Sequence, residues 1–457
     1  MIRRILVANR GEIAARVIRS CRRLGIETVL AASEADRTSL PARLADEVRI
    51  IGPAPSAQSY LDVDRIVGAA RDGRVDAVHP GYGFLSENPR LAAACDAAGL
   101  VFIGPTPDQL AALGDKLEAR RHAVAAGLPV VPGGSVDTLA DARRIAREIG
   151  TPLLIKAVGG GGGRGMRLVR DERTLEDAVH MAMSEAEAAF GDARVYLERY
   201  VEHGRHVEVQ VLGDGRDVIH LGTRDCSIQR RYQKLVEEAP APALSESMRD
   251  GLHRGAVALG RHLGYRGLGT VECLVDVDRE RFYFLEMNAR IQVEHPVTEA
   301  ITGLDLVAEQ IAVAEGRPLA LTQEEVAFQG HAVECRINAE DPGHDFRPSP
   351  GTVRAARWPA GSGIRVDTHV HSGTLIPPHY DSLIGKIIAL GKDRDQAVQR
   401  MHSALMRLRL DGIATNAALH AAVTADPGFG RGGMDTGYFP AFLARWRETE
   451  EANHGAD

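Results

Sequence analysis

Two alternating runs, residues 269–275 (Gly-Thr-Val-Glu-Cys-Leu-Val) and 282–288 (Phe-Tyr-Phe-Leu-Glu-Met-Asn), flank a polar connector, residues 276–281. Aromatic and β-branched residues at period two, broken by a charged turn, predict an antiparallel hairpin. Successive side chains of a strand point to opposite faces, so Thr270, Glu272 and Leu274 share one face. By the same alternation Phe284, Glu286 and Asn288 share one face of the second strand. With the connector centred near Arg279, Glu272 stands opposite Glu286. Directly opposed carboxylates repel unless a cation lies between them, and oxygen ligands suit magnesium or manganese. The simpler alternative is a pair of solvated glutamates on the wet face of a sheet. The next residues favour a site, because Asn288-Ala-Arg-Ile-Gln-Val-Glu-His-Pro296 gathers Arg290, Gln292, Glu294 and His295 at the end of the same strand. A guanidinium fork suits a planar oxyanion, and a carboxylate beside it can serve as general base.

A second feature supplies phosphate chemistry. The run Pro152-Leu-Leu-Ile-Lys156 leads into five consecutive glycines, Gly159 to Gly163, then Arg164, Gly165 and the run Met166-Arg-Leu-Val169. Without Cβ atoms, consecutive backbone N–H groups can turn towards anionic oxygens and approach them closely. A flexible linker is the alternative, but linkers are polar and Ser-rich on both sides, whereas this loop joins two strand-like runs. The spacing is neither that of a P-loop nor that of a dinucleotide fingerprint.

The 457 residues allow two to four domains, and 44% hydrophobic with 26% charged residues is ordinary globular composition. A net charge of -7 argues against a nucleic-acid partner, so anionic ligands must be met by local basic groups. The five cysteines are scattered with no Cys-x-x-Cys pair, which supports neither a disulfide framework nor a structural zinc site. The apolar run near Met1 is too short for a signal sequence and no segment reaches membrane-spanning length, so the expectation is a cytoplasmic protein with no membrane partner. Only five of the 55 basic residues are lysines: Lys116, Lys156, Lys234, Lys386 and Lys392. Lysine is a compact point charge and arginine a planar fork, so the places that keep lysine merit inspection first.

In chain order, strands are predicted at residues 4–8, 26–32, 76–79 and 100–103 with helices between them, which implies a parallel α/β sheet. The first turn carries one glycine, Gly11, where a dinucleotide fingerprint needs three. The segment His79-Pro-Gly-Tyr-Gly-Phe-Leu-Ser-Glu-Asn88 follows a strand, where open α/β sheets place ligand contacts. Lys116 falls in a helix, and an α+β section follows with a helix over 139–149, the glycine loop, a helix to about Ala189 and a strand over 195–198. Such a section can close as a lid that excludes water. Arg224, Arg230, Arg231 and Lys234 cluster in one run that reads equally as a solvated face, and His206 can lie on either surface of its strand. From residue 330, Ala332, Glu334 and Arg336 share one strand face of a separate small α+β domain, and the polar tail over 447–457 is expected to fray.

Taken together, Asn9-Arg-Gly-Glu-Ile-Ala14, the 79–88 loop, Lys156 with its glycines, Glu286-Met-Asn, Arg290-Ile-Gln-Val-Glu-His-Pro296 and His331-Ala-Val-Glu-Cys-Arg336 closely resemble biotin carboxylase over residues 1–445. The resemblance implies an ATP-grasp fold: an N-terminal Rossmann-like α/β domain (1–112), an ATP-grasp domain (113–329, with a lid at about 131–203), a C-terminal domain (330–445) and a frayed tail (446–457). It implies ATP contacts at Lys116, Lys156, Gly162, Gly163, Glu198, Arg199, Tyr200, Val201, His206, Glu272, Leu274 and Glu286. Magnesium or manganese falls to Glu272, Glu286 and Asn288, and bicarbonate to Lys234, Arg290, Gln292 and Val293. Catalytic roles are implied for Lys234, Arg290, Glu294 as base and Arg336 as the stabiliser of enolised biotin. The implied reaction is ATP- and bicarbonate-dependent carboxylation of biotin through carboxyphosphate, the first half-reaction of an acyl-CoA carboxylase, with acetyl-CoA as the default acceptor.

Tyr232 departs from the pattern, since relatives often carry His there. No lysine is flanked by methionines, so biotin is expected as a substrate on a separate biotin carboxyl carrier protein, with carboxyltransferase subunits and a homodimer as further implied partners. The rival readings are another ATP-grasp ligase that forms an acyl phosphate from a different carboxylate, and a non-catalytic nucleotide sensor.

Overall fold

The structure, a computed structural model, describes residues 1–158 and 166–454. The glycine loop, with Gly162 and Gly163, lies outside the described residues. The N-terminal segment forms five parallel strands, β1 (Arg4–Val7), β2 (Glu27–Ser33), β3 (Glu47–Gly52), β4 (Ala77–His79) and β5 (Val101–Phe102), in the order β3-β2-β1-β4-β5. Four of these match the predicted strands. The third, β3, is an edge strand whose Glu47 and Arg49 break its apolar run, which hides it from a hydrophobicity reading. The chain leaves β1 towards β2 on one side and later returns to β4 on the other. The gap at the carboxyl ends of β1 and β4 is therefore the topological switch point, where such sheets take ligands. Asn9 closes it: its side-chain amide donates to the carbonyls of Pro80 (2.7 Å) and Tyr82 (2.8 Å), fixing the 79–88 loop over the sheet edge.

Residues 133–199 build a small antiparallel sheet of β6 (Gly133–Val136), β7 (Leu153–Ala157), β8 (Met166–Val169) and β9 (Val195–Arg199), in the order β6-β9-β7-β8. The helices Leu139–Ile149 and Leu175–Phe190 cover it, and Val136, Ile145, Leu153, Ile155, Val179 and Leu197 form its own core. The first helix begins with a capping box between Thr138 and Asp141, which satisfies N–H groups that the helix leaves without partners.

The largest sheet has eight antiparallel strands. It runs β14 (Arg281–Asn288), β13 (Arg266–Asp276), β10 (Gly204–Asp214), β11 (Val218–Arg230), β12 (Gln233–Ala239) and β15 (His331–Asn338), then the strands Leu383–Gly391 and Ile364–Thr368. The pairing of β12 with β15 carries one hydrogen-bonded sheet across residue 330. The C-terminal third has its own core on one side of the sheet, built on Val333, Cys335, Ile337 and Ile387 with the helix Arg394–Arg407. A helix spans Tyr438–His454 and packs Phe439, Phe442 and Trp446 against this core, whereas residues 455–457 are outside the described residues. Among the described residues no helix is long and apolar enough to cross a membrane.

Candidate active site

The hairpin forms between β13 and β14, and Glu272 pairs directly with Glu286, as the alternation predicts. Its register carries a correction. Cys273 pairs with Phe284, so an unbroken ladder would set Glu272 against Leu285; a bulge at Leu285 shifts the pairing by one residue. The bulge separates Phe284 from Glu286. Phe284 turns into the core with Val271, Cys273 and Val275, while Glu286 opens onto a cleft together with Glu272 and Asn288. Bulges re-aim side chains next to active sites, and here the bulge frees a carboxylate that strict alternation would place beside a phenylalanine.

Glu272 also faces β10 on its other side. His206, Glu208 and Gln210 lie at alternate positions of that strand and pair with Leu274, Glu272 and Thr270. His206 therefore points inward, with Nε2 3.0 Å from Glu272 Oε2. Glu208 is fully buried, a member of the site that sequence reasoning misses; its two-residue spacing from His206 is the signal that marks it as a neighbour. From the next strands come the cations. Lys234 donates to Glu208 Oε2 (2.6 Å), Glu272 Oε1 (2.8 Å) and Glu294 Oε1 (2.7 Å). One ammonium with three donors thus joins three carboxylates, a task for which its compact shape is suited. Burial works against the Lys234 charge, but the three carboxylates outweigh it and hold its pKa well above the usual lysine range. The reverse applies to Glu208, Glu272 and Glu294: burial raises each, yet Lys234 and its neighbours keep all three below the usual range and ionised. Burial also lowers His206, but Glu272 overrides it, and the imidazole is raised to about 9 and stays charged.

The basic run before Lys234 is not one solvated face. Arg224 is fully buried, and its fork donates to Glu208 Oε1 (2.6 Å), Gln210 Oε1 (2.6 Å), Thr298 Oγ1 (3.0 Å), Thr270 Oγ1 (3.0 Å) and Gln292 Oε1. Arg230 and Arg231 instead bond Asp345, and Tyr232 sits exposed in the left-handed turn between β11 and β12.

At the end of β14, Arg290 donates from Nε to Glu87 Oε2 (2.7 Å) and from Nη2 to Asn288 Oδ1 (2.7 Å). Glu87 belongs to the 79–88 loop, so the N-terminal sheet orients this guanidinium. Gln292 reaches Glu272 Oε1 at 2.8 Å. The Val293 carbonyl accepts from Lys386, a fully buried lysine that also approaches Glu12 at 3.2 Å. Glu294 is 1% exposed and sits between Lys234 and Arg336, whose Nη2 donates to its second oxygen at 2.9 Å. Arg336 comes from the C-terminal third and is braced from behind by Glu237, Nε to Oε1 at 2.5 Å. Three parts of the chain thus converge on a cavity of about 640 Å³ that also meets Asn9, Tyr82 and Tyr380.

On the other side of Glu286 lies a second group of cations. Lys116 opens the helix Lys116–Ala125, where the Asp115 carboxylate caps the N–H groups of Leu117 (2.8 Å) and Glu118 (3.0 Å). Lys156 on β7 pairs with Glu198 on β9. Burial lowers Lys116, with Glu286 and Glu198 raising it and Lys156 lowering it, so these four charges share one neighbourhood. Arg199, Tyr200 and Val201 follow Glu198 at the exit from β9, and Val201 packs with Val131, Tyr283 and Leu274. Of the five lysines, only Lys392 is a surface charge remote from the site.

The donor set at the hairpin end fits a divalent ion. Glu272, Glu286 and Asn288 offer hard oxygen atoms, and Glu286 is raised by burial and by the facing charge of Glu272, a repulsion that a cation would relieve. His206, Glu208 and Glu272 also place donor atoms within 4.8 Å of one another, but Lys234 already bridges the two carboxylates and His206 is itself charged.

A strand hairpin of facing carboxylates, a small α+β sheet above it with a lysine on its inner strand, and a separate basic pocket for oxyanions define an ATP-grasp ligase. Family profiles agree along the chain: "Biotin carboxylase, N-terminal domain" matches residues 1–110, "Carbamoyl-phosphate synthase L chain, ATP binding domain" residues 115–322, and "Biotin carboxylase C-terminal domain" residues 334–441. The chain is 50% identical over 442 residues to the biotin carboxylase of Pseudomonas aeruginosa, covering 96% of this chain and 98% of that one. It is also 50% identical over 440 residues to a pyruvate carboxylase subunit of Methanothermobacter thermautotrophicus, covering 95% and 89%. Among solved structures it is similar to the biotin carboxylase domain dimer of the Hydrogenobacter thermophilus 2-oxoglutarate carboxylase, bound to MgADP, ADP and bicarbonate. That likeness has a TM-score of 0.91 at 45% identity over 96% of this chain and 98% of that one. The chain belongs to the biotin carboxylase family.

Proposed function

We propose that this chain carboxylates biotin on a separate carrier protein, using ATP and bicarbonate, through a carboxyphosphate intermediate. The observation that carries the reading is Glu294, a buried carboxylate kept ionised between Lys234 and Arg336 beside the Arg290 fork. In this arrangement bicarbonate enters between Lys234 and Arg290, and its negative charge draws the ammonium from Glu294. Released from that hydrogen bond, Glu294 becomes more basic and takes the bicarbonate proton on its oxygen. The deprotonated oxygen attacks the γ-phosphorus, whose bond to the bridging oxygen breaks to release ADP; Lys116, Lys156 and His206 would hold the phosphates.

A magnesium or manganese ion held by Glu272, Glu286 and Asn288 would neutralise phosphate charge. The adenine end falls to Glu198, Arg199, Tyr200, Val201 and Leu274. Carboxyphosphate releases carbon dioxide and phosphate; the phosphate removes the ureido proton of biotin, and Arg336 stabilises the resulting anion while it attacks carbon dioxide. Residues 131–203 act as the lid and exclude water from the labile intermediate.

The carrier and a carboxyltransferase act as separate partners, and the final acceptor is chosen there. Relatives at equal identity named for biotin carboxylase and for pyruvate carboxylase support assigning that choice to the partners. A homodimer belongs to the proposal, supported by the dimeric relative, as does a cytoplasmic location, supported by five free buried cysteines. The test is ATP hydrolysis by the purified chain. It is expected to require bicarbonate and magnesium and to rise with free biotin; turnover with an amino acid in the absence of biotin would overturn the reading in favour of another acyl-phosphate ligase.

A further inference from the structure

Behind Arg336 lies a second acidic pair that the proposed mechanism does not use. Glu237 on β12 and Glu334 on β15 are direct cross-strand partners, and both are fully buried. Glu237 gives one oxygen to Arg336; its other oxygen and both oxygens of Glu334 have no hydrogen-bond partner among the described residues. Three unpartnered carboxylate oxygens inside a sheet are costly if both groups are ionised, because opposed like charges in a low dielectric cannot both stay charged cheaply.

The surrounding cations are already engaged. Lys386 serves the Val293 carbonyl and Glu12, Lys234 serves Glu208, Glu272 and Glu294, and Arg336 divides its fork between Glu237 and Glu294. Glu294 adds a further negative charge, and the thiols of Cys226 and Cys335, which burial pushes well up, add none.

Building on the biotin-carboxylating reading, we propose that Glu237 and Glu334 hold one proton between them and act as a positioning pair that sets the charge behind Arg336 and so the basicity of Glu294. Burial raises Glu237 to about 7 with Arg336 opposing, and raises Glu334 well above the carboxylate range with Lys386 opposing. While the proton is present, Arg336 faces one negative charge on its sheet side and its fork stays on Glu294. When the proton leaves, a second charge draws Arg336 back, and Glu294, now beside more negative charge, holds its own proton more firmly. The pair tunes the base without touching substrate.

Infrared spectroscopy of the full chain, titrated from mildly acidic to mildly alkaline pH, tests this directly. The wild type is expected to show a protonated-carboxyl carbonyl band that weakens through neutral pH, and this pH-dependent part is lost in both Glu334→Gln and Glu237→Gln. In Glu334→Gln the neutral amide replaces the shared proton permanently. Its bicarbonate-dependent kcat/KM should then lose the neutral inflection and vary less than about twofold where the wild type varies about tenfold, the effect of a change of about one unit in the basicity of Glu294. A wild type without the band, or a band unchanged in both variants, overturns the proposal. The wild-type titration decides the matter alone if Glu334→Gln does not fold. Turnover that ignores bicarbonate would sink the functional reading and leave the infrared result to judge the pair.

Discussion

Arg224 ties the site together from beneath, and R224K measures how much its fork contributes. The guanidinium makes five hydrogen bonds in a fully buried setting, to Glu208, Gln210, Thr270, Thr298 and Gln292. Lysine keeps the charge but has only three donors, so at least two buried acceptors lose their partner. Each orphaned buried acceptor costs about 1–3 kcal/mol, which gives ~2–6 kcal/mol in total. Scaling the unfolding entropy per residue to a chain of this length gives ~1–2 °C per kcal/mol, so the thermal midpoint should fall by roughly 2–12 °C. Function should respond as well, because Glu208 bonds Arg224 through one oxygen and Lys234 through the other. A loosened Glu208 lets Lys234 drift, and a KM for bicarbonate about tenfold higher corresponds to only ~1.4 kcal/mol of lost positioning. Differential scanning calorimetry and bicarbonate-dependent ATP turnover read the two effects. A midpoint within about 1 °C of wild type together with an unchanged bicarbonate KM would refute the view that five bonds from a rigid fork, rather than charge alone, hold this layer.

Glu294→Gln removes the base without changing shape; carboxylation should fall by at least ~100-fold while ATP binding by calorimetry stays close to wild type, and equal loss of both would count against the base assignment. Glu286→Gln should raise the magnesium concentration needed for half-maximal turnover by about 10–100-fold. The same change should raise the metal-free thermal midpoint, since it removes one of two facing charges; a lower midpoint would mean that the repulsion is not there. Asp367 provides a pH test away from the catalytic residues. Burial raises its carboxyl but Arg365, bonded at 2.6 Å, lowers it to about 2 from the ordinary 3.8. A depressed folded pKa gives stability that is fully present above the unfolded value and is lost as pH falls through about 2. Asp367→Asn should therefore cost ~2 kcal/mol at neutral pH and almost nothing at the acid end, as read by urea denaturation at the two extremes; a cost independent of pH would point to packing instead.

Much of this site was legible in the chain itself, because strands alternate with period two and turns are marked by polar connectors. That rule put Glu272 opposite Glu286 and placed Glu334 and Arg336 on one face, and the scarcity of lysine drew attention to Lys116, Lys156, Lys234 and Lys386 before any contact was known. The sequence could not announce the bulge at Leu285, because a one-residue slip in register depends on which partner strand and core the hairpin meets. Nor could it separate Arg224 from Arg230 and Arg231. All three have the same chemistry within eight residues, and only the packing of β10, β13 and the 288–298 segment around β11 buries the first and leaves the others to Asp345. Glu87, Glu208 and Glu237 stayed hidden for the same reason: a glutamate in a local pattern is a surface residue by default. Local periodicity thus determined which residues could face the cleft. The tertiary structure decided which charges meet there, since a carboxylate acquires its partner, its burial and its proton only when strands distant in sequence close around it.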